Sequence, residues 1–284
     1  MALLQKAYLG STALFADKPW FYDLNGIEIT GINTSSLTLT AGSPAHTKGS
    51  WLELISSTSG TTEFLSMAWQ AGNVSGTDTA MLMDIGVGAS GSETVVVPDI
   101  AIGGASSMTL NLPINIPSGS RIAARLQGVR GSSQSIQTFG NILAISIGGS
   151  NAALIPSSLD VLGTDTATST GTAMSGASGT WVEIVASTSD DYIGFQIIPS
   201  FSDSSITTYA NTVYTLGVGA AGSEVAIGDI SINYNGANES VALRTINVPL
   251  FGQEVPAGSR LAVKHNLAAN PDKYDACIIA IPKV

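Results

Sequence analysis

Charge is scarce in this chain: only 11% of its 284 residues are Asp, Glu, Lys or Arg, less than half the roughly 25% of an average globular domain. The basic side is the poorer, with 11 Lys and Arg against 21 Asp and Glu and a net charge of -10. The electrostatic footprint of a nucleic-acid binder is therefore missing. A single cysteine, Cys277, excludes an intrachain disulfide framework and a multi-cysteine metal site. It stands in the apolar run ACIIAI and reads as a small buried hydrophobe. No apolar run reaches the roughly 18 residues of a membrane-spanning helix, so no membrane partner is expected. MALLQKAYLGSTALFADKPW has neither the basic opening nor the clean apolar core of a secretory leader, and the expectation is synthesis and folding in the cytosol. Disorder is excluded by the 44% hydrophobic content.

What the chain has is repetition. GSWLELISSTS, ending at Ser59, returns as GTWVEIVASTS, ending at Ser189, and aligns Trp51 with Trp181 and Glu53 with Glu183. DIGVGASGSE (84–93) returns as TLGVGAAGSE (215–224), followed in each case by Asp-Ile at Asp99 and Asp229. LPINIPSGSRIAAR, ending at Arg125, returns as VPLFGQEVPAGSRLAVK, ending at Lys264, and ILAISI (142–147) corresponds to CIIAIP (277–282). Four blocks in one order describe a tandem repeat. The expected plan is an N-terminal extension over 1–35, a first domain over 36–148, a linker over 149–163 and a second domain over 164–284.

Each copy reads as β. WLELI, WVEIV, RIAARL and RLAVKH alternate with a period of two, and Ser-Gly, Asn-Gly, Pro-Ser-Gly and Pro-Ala-Gly turns punctuate them. The spacing predicts an all-β protein of two tandem antiparallel sandwiches of jelly-roll type. The extension holds Tyr8, Phe15, Trp20, Phe21 and Tyr22. It either packs across its own domain or acts as an arm that docks on a neighbouring subunit.

Few residues point to chemistry. Gly86, Gly88 and Gly91, with Gly217, Gly219 and Gly222, have dinucleotide-loop spacing, but strand-like SETVVVP and SEVAIGD follow where a helix is needed. No cofactor is expected. His46 and His265 stand in no catalytic constellation and read as surface residues, and two distant histidines do not make a zinc site. Glu53, Glu93 and Asp99 recur as Glu183, Glu224 and Asp229. A feature kept in both copies serves the fold rather than a single grafted active site, so no catalytic residue is assigned. Asp190-Asp191 and the run from Asp272 to Asp275 lack the ligand spacing of a calcium loop. Arg121 and Arg260 share one place after equivalent turns, which predicts a carboxylate partner for each, on a facing strand or on another subunit.

The phrases GVGASGSE with IPSGSRIAAR, and GVGAAGSE with VPAGSRLAVK, resemble a pattern in tailed-bacteriophage virion proteins of β-sandwich type. The resemblance implies a non-enzymatic virion component made in the host cytoplasm. One form is a capsid decoration or cement protein, a symmetric homo-oligomer such as a trimer on the major capsid protein. The other is a tail or fibre component whose sandwich holds host surface glycan, with Tyr192, Tyr209, Tyr214 and Tyr234 of the second copy as stacking platforms. Tyr8, Phe15, Trp20, Phe21, Tyr22, Arg121 and Arg260 are the interface candidates.

Overall fold

Alternating apolar residues and frequent turns force the chain into short strands whose inner faces must be paired off. The computed structural model describes residues 28–71, 81–102, 108–129, 134–138, 141–146, 155–164, 171–174, 177–201, 210–235, 242–243, 250–266 and 274–284. Among these there is no helix. The first ten strands are β1 (Glu28–Asn33), β2 (Thr38–Thr40), β3 (Leu52–Ile55), β4 (Phe64–Ala71), β5 (Met81–Val87), β6 (Thr94–Ile102), β7 (Met108–Leu112), β8 (Ile122–Gly128), β9 (Ser135–Thr138) and β10 (Ile142–Ser146). β1 pairs with β10 and β2 with β9, while β9 and β10 both pair with β4, which pairs with β7 on its other side. The facing sheet runs β3-β8-β5-β6. If β1 and β2 count as one interrupted strand, and β9 and β10 as another, eight strands form two antiparallel four-stranded sheets in jelly-roll order.

The second half repeats the plan with β11 (Asp160–Leu162), β12 (Thr172–Ala173), β13 (Val182–Val185), β14 (Tyr192–Phe201), β15 (Ala210–Val218), β16 (Val225–Asn235), β17 (Ala242–Leu243), β18 (Leu250–Val255), β19 (Leu261–His265) and β20 (Tyr274–Pro282). Its sheets are β11 and β12 beside β20-β14-β18, and β13-β19-β15-β16-β17. Both halves are therefore antiparallel β-sandwiches of jelly-roll type.

Two boundaries differ from the sequence expectation. β1 lies within the segment assigned to the extension yet hydrogen-bonds along β10, and β11 lies within the assigned linker yet pairs with β20. Both are sheet-edge strands with little sequence in common, so the repeat does not reveal them. The closing blocks also match one residue further on. Ala144 pairs with Leu65 as Ala280 pairs with Phe195, which makes Ile142 the counterpart of Ile278 rather than of Cys277.

That register explains how the halves are joined. In β20, Ala276, Ile278 and Ala280 enter the second module's core, while Cys277, Ile279 and Ile281 point the other way and pack into the first module's core, together with Leu159 and Ile198. Their target is β6 and its neighbours: the Leu159 amide donates to the Val96 carbonyl at 2.9 Å, and β11, β14 and β20 all pack on β6. A strand buried on both faces must read as an unbroken apolar run, as ACIIAI does.

Candidate functional site

The most elaborate polar arrangement occurs twice. Arg121, two residues after the turn glycine Gly119 and immediately before β8, lies between β3 and the β5–β6 loop. Its Nε donates to Glu53 Oε2 at 2.7 Å, and its Nη1 donates to Glu93 Oε1 at 2.7 Å and to the Gly88 carbonyl at 3.4 Å. Arg260 makes the same set, with 2.6 Å to Glu183 Oε2, 2.8 Å to Glu224 Oε1 and 3.3 Å to the Gly219 carbonyl. The far oxygens of Glu93 and Glu224 accept the Gly91 and Gly222 amides at 3.0 and 2.9 Å. One guanidinium thus ties a strand, a loop and a turn together in each module.

The glycine phrases are part of this latch. A Cβ on Gly86 or Gly217 would come within 2.6 or 2.5 Å of the Trp51 or Trp181 ring. Gly88 and Gly219 have φ of 134° and 131°, a region closed to other residues, and present the carbonyls that the arginines reach. Above each tryptophan lies a cation, Arg125 over Trp51 and Lys264 over Trp181, both 4.5 Å from the ring centroid. A second repeated tie escaped sequence reasoning. Thr58 Oγ1 donates to the Pro117 carbonyl and accepts the Ser120 amide, and Thr188 does the same with Pro256 and Ser259. The signal was the STS that closes each tryptophan block.

The electrostatics suit a structural clasp. Burial works to raise the Glu93 and Glu224 pKa values. Hydrogen bonds from Arg121 and Arg260 and from the backbone outweigh it and hold both carboxyls below their ordinary range. Burial likewise opposes the charge on Arg121, but its two glutamates prevail and raise its pKa; for Arg260 the Glu183 hydrogen bond is the leading cause of the rise. These carboxylates stay ionised at neutral pH and already have partners, the opposite of a carboxyl poised to deliver a proton.

The first module adds a network that the second lacks. Asp84, where the second module has Thr215, is buried beneath Lys48 (2.8 Å), Arg125 (2.7 Å) and the Asp99 amide (2.9 Å). Lys48 also pairs with Asp99, which holds the left-handed φ of 46°. Burial would raise the Asp84 pKa, but the Asp99 amide, Lys48 and Arg125 bring it below its ordinary value.

The structure disposes of several candidates. Tyr192 and Tyr214 are fully buried and cannot be stacking platforms. Tyr192 packs edge-on against Phe195 and donates its hydroxyl to Asp160 Oδ2 at 2.7 Å; burial raises its pKa well above the usual value. The tyrosines are core residues at places where the first module has Thr62 and Met83. Tyr234 pairs through its backbone with Ala210 and Leu243, and Tyr209 lies outside the described residues. So do Tyr8, Phe15, Trp20, Phe21 and Tyr22. Arg121 and Arg260, expected at an interface or on a facing strand, have their carboxylates within the chain. His46 is exposed, but His265 is buried against Tyr214 rather than at the surface. It ends the inward row Leu261, Val263, His265. Burial pushes the Cys277 thiol up to about 12. Asp191 accepts the Ala257 amide at 2.8 Å, and among the described residues no three metal-ligating side chains cluster.

No protein-family model and no curated protein sequence matches the chain. Among solved structures, the chain is similar to the STIV MCP at 11% identity and a TM-score of 0.36, with 88% of this chain and 96% of the other covered. A second similarity is to the tandem CBM22-1-CBM22-2 domain of Paenibacillus barcinonensis Xyn10C, at 10% identity and a TM-score of 0.27, covering 91% and 92%. The Macrobrachium rosenbergii nodavirus structure follows at 10% identity and a TM-score of 0.18, covering 90% and 98%. Overlaps this loose bring no function to the chain.

Proposed function

We propose that the protein is a non-enzymatic structural component of a bacteriophage virion, a decoration or cement protein that binds the head surface as a symmetric oligomer. The observation that carries the reading is the duplicated latch. The carboxylates Glu53, Glu93, Glu183 and Glu224, repeated between the modules and the natural candidates for acid–base work, each bind an arginine that fixes strand to loop. Repeated devices of this kind preserve shape, the property a building unit must have. Jelly rolls serve in viral capsids and in lectins, which is support by analogy of fold, and the glycine-rich phrases carry the resemblance to phage virion proteins. Many weak contacts in a symmetric array then sum to strong attachment.

The test is to mix the purified protein with undecorated phage capsids and, separately, with host cells. Saturable capsid binding at a stoichiometry set by icosahedral symmetry is expected; binding to cells alone overturns the decoration reading in favour of a tail or fibre role. Release of reducing ends from host polysaccharide overturns the non-enzymatic one.

A further inference from the structure

The contact between the two modules is directional. It joins the outer face of the second module's β11-β20-β14 sheet to the β5–β6 side of the first. Because the modules are equivalent, each has both surfaces, and each uses only one of them inside the chain. Among the described residues, no second module packs on the first module's counterpart of the β11-β20-β14 face or on the second module's counterpart of β6.

Among the described residues, the exposed large hydrophobic side chains other than Val284 lie on these surfaces or at their rim. Ile29 and Ile32 of β1 are 52% and 51% exposed, and Val225 of β16 is 64% exposed. Register gives their counterparts. Ile32 pairs with Leu143 as Val161 pairs with Ile279, and Ile29, opposite Ile145, takes the place of Leu159. Leu159 is 1% exposed and Val161 packs beside it, both against the first module. The bulge between Ile29 and Gly31 turns both isoleucines to one face, where half-buried Leu143, Ile145 and Phe64 extend the patch. On the opposite surface, Ile227 takes the place of Val96, whose carbonyl receives Leu159, and Ser231 that of the buried Ala101. Val225 takes the place of Thr94, which stays exposed beside the intrachain contact, and so lies at the rim. One pairing changes in concert. Cys277 meets the Ala101 backbone in the intrachain contact, whereas the free surfaces place Asn141 and Ser231, both exposed, at these positions. An apolar pair within the chain becomes a polar pair at the surface.

We propose that these surfaces mate between copies: the β16 face of one chain docks on the β1-β10-β4 face of the next and replays the intrachain contact. The occupant of each patch is a second copy of this chain. The contact is head-to-tail, so copies close into a ring or extend as a filament according to the rotation per step. An apolar face beside an open strand edge is the surface a soluble protein keeps covered. This inference rests on the building-unit reading and names its partner surface. Its test needs no capsid, so failure here leaves the attachment question standing and failure there leaves this one.

Two full-length variants separate the faces: Ile29→Asp with Ile32→Asp, and Ser231→Arg, which sets a long charged side chain where the buried Ala101 stands in the intrachain contact. Size-exclusion chromatography with light scattering, at tens of micromolar, is expected to show the parent as a multiple of 29.0 kDa and each variant alone as one chain. Mixed in equal amounts, the variants combine their intact faces and stop at two chains, a result that a self-complementary two-fold interface does not give. Circular dichroism and the thermal midpoint report folding; if a variant loses its cooperative transition, Ile29→Ser with Ile32→Ser, or Ser231→Lys, replaces it. A monomeric parent, a folded variant that keeps the parent's mass, or a mixture that stays monomeric overturns the proposal.

Discussion

The two jelly rolls have one topology and one latch, and they differ in what covers their sheets. In the first module β6 lies under its neighbour, and Val97, Ile100, Ala101 and Ile102 are all buried. In the second, Ser231 is exposed where the first has Ala101, and Ile230 is only half-buried where the first has Ile100. The reverse holds for the other sheet, where Ile279 and Ile281 are enclosed while Leu143 and Ile145 are half-exposed. Internal devices such as the Arg–Glu clasp are indifferent to this and stay within 0.1 Å of each other at the main ion pairs. The Asp84 network, confined to the first module, is one place where the copies diverge. The clasp is common to both modules; the covering of their sheets is not.

The sharpest challenge to that comparison is a matched pair of truncations. Ile279→Ala opens a cavity between the modules and is expected to cost about 2–5 kcal/mol in urea unfolding. Leu143→Ala, at the counterpart position on the uncovered sheet, is expected to cost the dissociated chain about 1 kcal/mol or less. Equal losses would mean that the two faces are equally buried. Next in size, Gly86→Ala and Gly217→Ala drive a methyl into Trp51 and Trp181, and each is expected to lose about 1–3 kcal/mol. A large difference between these two urea midpoints would break the equivalence of the latches.

Asp84→Asn is expected to cost about 1–3 kcal/mol by leaving Lys48 and Arg125 without their shared acceptor, both cations being partly solvated. Because Asp84 titrates lower folded than unfolded, its contribution is complete above the ordinary carboxylate range near pH ~4 and is lost as pH falls through the folded value. Urea midpoints measured from neutral pH down to about 2 should therefore fall less steeply for Asp84→Asn than for the parent. Identical slopes would remove Asp84 from the account. The smallest effect is expected from Arg121→Lys and Arg260→Lys, which keep the charge and lose the fork that binds two glutamates at once. Thermal midpoints should drop modestly and alike in the two variants.

Much of this was legible before the fold. The repeat picked out Glu53, Glu93 and Arg121 with their counterparts, because a residue kept twice in so weakly charged a chain has a fixed partner. Which carboxylate meets which arginine was not legible, since the partners lie 28 to 77 residues apart. ACIIAI marked Cys277 as buried, but an apolar run carries no information about which body covers each face. Tyr192 and Tyr214 read as surface platforms because the first copy has no tyrosine at their places; the Asp160 acceptor for Tyr192 sits in a strand that the repeat conceals. His265 was the avoidable error, for Leu261 and Val263 mark its side of the strand as inward.

Cys277 lies in the contact between modules with its thiol raised to about 12, so it reports directly on whether the two jelly rolls behave as one body. Pulsed thiol labelling along a urea titration, followed beside tryptophan fluorescence, is the decisive measurement. Labelling is predicted to begin only where fluorescence reports global unfolding. Labelling at urea concentrations where the fluorescence is still native would show the modules parting before they unfold, and would contradict a shared core.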